Sequence, residues 1–136
     1  MKQYLLESIE KSRNYTLQVA EIMPPDQYDF RPVDTIWSFA ELMHHIAYSI
    51  KWMEENYITG LKSAWNPTPI PAGKEKIIEY LEKMYAELKH TINRLQKLEE
   101  EAVNGSYATL EHVSHHRGQA TTYLRSKGIT PPEYPF

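Results

Sequence analysis

An all-α bundle of four helices is the fold this sequence predicts, and three observations carry it. Apolar side chains recur at three- and four-residue steps in four separate segments. Prolines and glycines fall where those segments should end, and no stretch carries a strand signal. At 136 residues the chain has the length of one ordinary domain, expected to span 1–136, with no linker and no internal repeat.

The first helix is expected from Tyr4 to Met23, with Leu5, Ile9, Leu17, Val19 and Ile22 at roughly the helical period. Pro24-Pro25 must stop it, because proline lacks the amide donor and clashes with the preceding turn. After an irregular connection from Asp26 to Ile36, Ser38-Phe39-Ala40-Glu41 reads as a reciprocal cap that starts the second helix. Its core stripe is Phe39, Leu42, Met43, Ile46, Ile50, Met53 and Tyr57, and Gly60 offers a stop. Pro67, Pro69 and Pro71 stiffen the loop from Lys62 to Ala72, a lid or wall in prospect. The third helix is expected from Lys74 to Glu101 on the repeat Ile77, Ile78, Leu81, Met84, Tyr85, Leu88, Ile92, Leu95 and Leu98. Asn104-Gly105 is read as a break, with a fourth helix from about Tyr107 to Lys127, capped by Gly128 and ended by Pro131-Pro132.

Composition excludes several function classes. A net charge of -3 with scattered Lys and Arg offers no surface for a phosphate backbone, so nucleic acid is not an expected partner. No apolar run approaches the roughly 20 residues a bilayer demands, and the opening segment breaks its apolar run with Glu7 too early for a secretion signal. No membrane association and a cytoplasmic location are the expectation. Without cysteine there is no disulfide, no thiolate ligand and no cysteine nucleophile, so any metal must use imidazole or carboxylate.

Five of the six histidines fall into two groups, His44-His45 on the second helix and His112, His115 and His116 on the fourth. His112 and His116, four apart, lie on one helix face and can share an ion, and bundles build metal sites from facing helices. With Gln119 and Tyr123 they form a stripe flanking the Val113, Ala120 and Leu124 side, while His115 falls further from the core. His44 and His45 flank their own core stripe, one on each side, and periodicity does not choose between them.

The residues that follow are those of a known family: Tyr28-Asp29-Phe30-Arg31-Pro32, Trp37-Ser38-Phe39-Ala40-Glu41-Leu42, His45-Ile46-Ala47, then His112-Val113-Ser114-His115-His116-Arg117-Gly118-Gln119, Leu124-Arg125 and Gly128. From about Met23 onward the chain resembles the DinB/YfiT-like family of metalloenzymes. The resemblance implies an up-down-down-up four-helix bundle, often a homodimer, holding one divalent ion, zinc or nickel, through three histidines. It selects His45, eight residues after Trp37 and before an apolar-Ala pair, and it selects His112 and His116 in agreement with the face argument.

Three neutral imidazoles leave a coordination position open, as catalytic sites do. Relatives include transferases that use bacillithiol or mycothiol. The resemblance therefore implies a small-molecule substrate and a metal-dependent transfer of a low-molecular-weight thiol to an electrophile, of a detoxification or stress type. The competing expectations are a metal-dependent hydrolase and a non-catalytic dimer whose ion only ties two helices together. Gln119 and Tyr123 are candidates for holding substrate. Glu41 is expected to cap its helix rather than orient His45, Arg117 to form a salt bridge, and Gly118 to admit a neighbouring backbone. Trp37, Trp52 and Trp65 are assigned to the core ahead of the lining of a pocket or a dimer seam, and His90 to a solvated helix face.

Overall fold

The computed structural model describes all residues from Met1 to Phe136. Four helices form it: α1 (Lys2–Ile22), α2 (Phe39–Met53), α3 (Lys74–Arg94) and α4 (Glu100–Ser126). A short 3-10 turn lies at Pro25–Gln27, and α2 runs on into a single wide turn of π type at Glu54–Ile58. No helix is long and apolar enough to cross a membrane.

Each helix packs on two others: α1 on α3 and α4, and α2 on the same pair. The ends that meet give their directions. Lys2, at the start of α1, donates to the carbonyls of Asn93 and Leu95 at the end of α3, and Lys74 at the start of α3 reaches Glu21. These two helices are antiparallel. Thr91 donates to Glu54 and His44 stacks on Tyr80, so α2 and α3 run parallel. The core between them holds Leu5, Ile9 and Val19 of α1, Phe39, Leu42, Met43, Ile46 and Ile50 of α2, Ile77, Leu81 and Leu88 of α3, and Val113, Ala120 and Leu124 of α4.

The cap of α2 is the one expected, with Ser38 Oγ accepting from the Glu41 amide at 3.1 Å and Glu41 Oε2 from the Ser38 amide at 2.6 Å. The Glu41 carboxylate also pairs with Arg31 and makes no bond to His45. The left-handed residue after α4 is Gly128, at φ 74°, where glycine avoids the Cβ clash.

Three expectations are corrected. First, α3 ends at Arg94, with Leu95 extended, and α4 begins at Glu100 and runs straight through Asn104-Gly105. Gly105 is a packing residue rather than a break: a Cβ there would stand 2.4 Å from the Tyr57 carbonyl oxygen. The helix tolerates the propensity cost, about 1 kcal/mol, because α4 can then lie directly against the wide turn after α2. Second, that wide turn takes Tyr57 off the core stripe, leaving it 47% exposed. Third, nothing approaches within 4 Å of where a Gly118 Cβ would be, so the close backbone contact expected there is absent.

Candidate metal centre

The segment ahead of α2 is pinned before it delivers a functional side chain. Tyr28 is buried with its hydroxyl on the Ala20 carbonyl, and the carbonyls of Phe30 and Tyr28 accept the amides of Phe39 and Ala40. Arg31 donates to the Ile36 carbonyl. Tyr123 on α4 donates to the Trp37 carbonyl at 2.7 Å. Trp37 therefore has a fixed position, with its ring centroid 4.6 Å from that of His45 and 5.9 Å from that of His116.

His45, His112 and His116 come together across the α2–α4 seam. Nε2 of His45 lies 3.2 Å from Nε2 of His112 and 3.1 Å from Nε2 of His116, and all three ligand atoms fall within 4.8 Å of one another. Two nitrogens each about 2.0–2.1 Å from one ion stand roughly 3 Å apart, so this donor set fits a divalent metal. The charge state fits as well. Burial lowers the pKa of all three, aided by neighbouring imidazoles, with His45 brought down to about 4 by burial and then by His116, His112 and His44. Neutral imidazoles with free lone pairs are what a metal requires.

Gln119 fixes one of those lone pairs. His116 Nδ1 donates to Gln119 Oε1 at 2.9 Å, which leaves Nε2 as the acceptor nitrogen. Ser49, one turn after His45 and buried, places its hydroxyl 3.3 Å from His45 Nε2 and 3.1 Å from His112 Nε2. Sequence reasoning missed Ser49, although the four-residue step from His45 puts it on the same helix face.

The neighbouring histidines face elsewhere. His44 is buried toward α3, stacked on Tyr80 and 3.3 Å from the Thr68 hydroxyl, while His115 and His90 are exposed. Gln119 and Tyr123 both border a cavity of about 440 Å³ with Thr35, Ile36, Trp37 and His116. The Tyr123 ring is buried and its hydroxyl is committed to the Trp37 carbonyl.

None of the three tryptophans belongs to the core; Trp52 is half-buried outside the core cluster. Trp37 and Trp65 are 45% and 48% exposed and stand against His45 instead. The proline-rich loop explains the placement of Trp65. Trp52 Nε1 donates to the Ser63 carbonyl, and the Asn66 amide donates to the Tyr48 hydroxyl, which lays 63–66 over α2. This loop and α2 enclose a cavity of about 480 Å³ lined by Trp37, His44, His45, Tyr48, Trp65 and Thr68 among others.

A sequence model of the DinB superfamily matches residues 8–120. The chain belongs to the DinB superfamily. This DinB-superfamily chain is 28% identical over 144 residues to the uncharacterized protein YjoA of Bacillus subtilis strain 168, with 91% of this chain and 88% of that protein covered. Crystal structures share its fold. A protein assigned to the DinB family from Exiguobacterium sibiricum 255-15 superposes with a TM-score of 0.78 at 15% identity, over 99% of this chain and 97% of the other. A DinB-like protein from Bacillus cereus ATCC 10987 does so at 0.77 and 19%, over 95% and 94%. YjoA itself gives 0.73 over 98% and 96%.

Proposed function

We propose that this DinB-superfamily chain binds one divalent ion, zinc or nickel, through His45, His112 and His116, and that it is a metal-dependent transferase moving a low-molecular-weight thiol onto a small electrophile. The observation that carries the reading is the convergence of three imidazole nitrogens at 3.1–3.2 Å beside a walled cavity. When bound, such an ion acts as a Lewis acid that brings the pKa of a coordinated water or thiol toward neutrality.

The chain's own residues supply the rest. Gln119 holds the His116 ring in the ligating tautomer, and Ser49 offers a hydroxyl to the same cluster. Trp37 and Trp65 give the cavity apolar walls that favour the carbon skeleton of a small substrate. His44 and the Thr68 hydroxyl, at the far wall, are groups that can orient its polar end. Access separates this reading from a purely structural ion, for which a closed site is expected; here the triad borders cavities on both sides of Trp37.

The test is metal content by plasma mass spectrometry on tag-free protein, followed by turnover of the metal-loaded protein with common cellular thiols and a panel of electrophiles. Wild type, His44→Ala and His115→Ala should carry about one ion per chain, and His45→Ala, His112→Ala and His116→Ala should carry none. A reconstituted wild type without metal would overturn the site. Metal without turnover on any thiol would overturn the transferase and leave the structural ion in its place.

A further inference from the structure

On the opposite side of α4, against α1 and the segment 130–134, lies a third cavity, of about 540 Å³, that contains none of the clustered histidines. Its floor is Arg117, only 3% exposed. Nη1 donates to the Ser12 carbonyl and hydroxyl and to the Thr16 hydroxyl at 3.2–3.3 Å, and Nη2 donates to Ser114 Oγ at 3.4 Å. Every one of those partners is neutral. The guanidinium sits 4.8 Å from the Tyr15 ring centroid and 5.9 Å from that of Tyr134, faces that offset part of its burial.

Two features of this arrangement are unbalanced. No ion pair of the protein involves Arg117 or Arg125, the second arginine lining the cavity. A guanidinium cannot shed its proton, so the buried charge persists without a counterion. In addition, no acceptor of the protein takes the Arg117 Nε–H, and since no fully enclosed side-chain nitrogen or oxygen lacks a partner, that N–H keeps access to solvent on a residue that lines the cavity. Ser114 Oγ accepts from Arg117, which leaves its own O–H free to donate.

We propose that this cavity binds the oxyanion group, phosphate or carboxylate, of a small molecule, with Arg117 as the buried anchor and Arg125 as the cation at its rim. The uncompensated guanidinium with its free N–H, the Ser114 hydroxyl and Arg125 line one space, and an oxyanion is the chemistry that both accepts from such donors and balances the charge. Glu133 lines the same cavity without pairing with either arginine, and opposes the ligand's charge. The inference stands apart from the histidine cluster and does not depend on any metal there.

The experiment is a two-dimensional ¹⁵N NMR titration of the full chain with inorganic phosphate and, separately, acetate, at ionic strength held constant with sodium chloride. Saturable shifts at residues 114–125 and 130–134 are expected, with those of His45 and Ser49 unmoved. Arg125→Gln should weaken binding about tenfold, the loss of one charge-assisted contact, and Glu133→Gln should tighten it. Arg117→Met should abolish it; should that variant fail to fold, the two exposed positions still carry the test. Saturation by phosphate alone assigns a phosphate-bearing ligand, and by acetate alone a carboxylate. No saturable shift with either anion, or shifts indifferent to both Arg125→Gln and Glu133→Gln, would overturn the proposal.

Discussion

His116 and Arg117 are neighbours on α4 that serve opposite kinds of polar environment. The His116 side gathers acceptors: three imidazole nitrogens whose lone pairs converge, half-buried, beside open cavities. The Arg117 side gathers neutral acceptors, the Ser12 carbonyl and the Ser12 and Thr16 hydroxyls of α1, around a buried cation, with the buried Tyr85 hydroxyl bonded to both of those residues at 2.9 Å. The first arrangement is suited to receiving a cation, the second holds one already. What separates them is the sign of the charge each would accept. The arginine cluster joins α1 to α4 through its own hydrogen bonds but leaves its cation without a counterion, whereas the histidine nitrogens contact chiefly one another and offer lone pairs to a cation.

The comparison can be broken from either side. The largest effect is expected at the buried side: Arg117→Ala empties the space of a large buried side chain and takes one hydrogen-bond partner from each of the Ser12 and Thr16 hydroxyls, which keep Tyr85, and should cost about 3 kcal/mol in urea denaturation. A loss under about 1 kcal/mol would mean that this cluster is not what joins α1 to α4. Gly105→Ala comes next. Its methyl would meet the Tyr57 carbonyl, α4 would have to shift off the wide turn, and stability should fall by about 2 kcal/mol, with metal affinity falling too because His112 moves with the helix.

On the open side, Gln119→Ala should leave unfolding within about 0.5 kcal/mol of wild type while weakening metal binding about 10- to 100-fold in a competitive chelator titration. If affinity is unchanged, Gln119 does not set the His116 tautomer. The smallest effect is expected for Tyr123→Phe, which loses only the bond to the Trp37 carbonyl and should lower stability by about 1 kcal/mol. Quenching of tryptophan fluorescence by acrylamide would check that Trp37 has loosened.

The same two regions differ in how well the sequence announces them. On the histidine side the α4 half was legible because its signal is local, a four-residue step from His112 to His116 with Gln119 three residues on, whereas on α2 periodicity left His44 and His45 open and only the family resemblance selected His45. The element starts and stops were legible wherever proline or a left-handed glycine acted alone, as at Pro24-Pro25 and Gly128. Gly105 misled because its reason is the Tyr57 backbone, 48 residues earlier, and local propensity carries no trace of such a neighbour. Arg117 misled for the same cause. Its partners at Ser12 and Thr16 are hydroxyls on another helix, and an arginine's default on a helix surface is a carboxylate. The exposed tryptophans could not be separated from core ones, since aromatic residues mark both interiors and pocket walls.

Both clusters are closed by a single late stretch of chain. The histidine contacts join residues 67 and 71 apart in sequence, and the arginine contacts with Ser12 join residues 105 apart. During synthesis at roughly 5–20 residues per second, His45 leaves the ribosome several seconds before His116 follows. Through that interval α2 can carry only one imidazole of the cluster, and α1 keeps Ser12 and Thr16 without their cation. Assembly of the three-histidine cluster and the sealing of the buried hydroxyls are thus bound to one moment, the docking of α4, so a chain stalled before that turn would have neither.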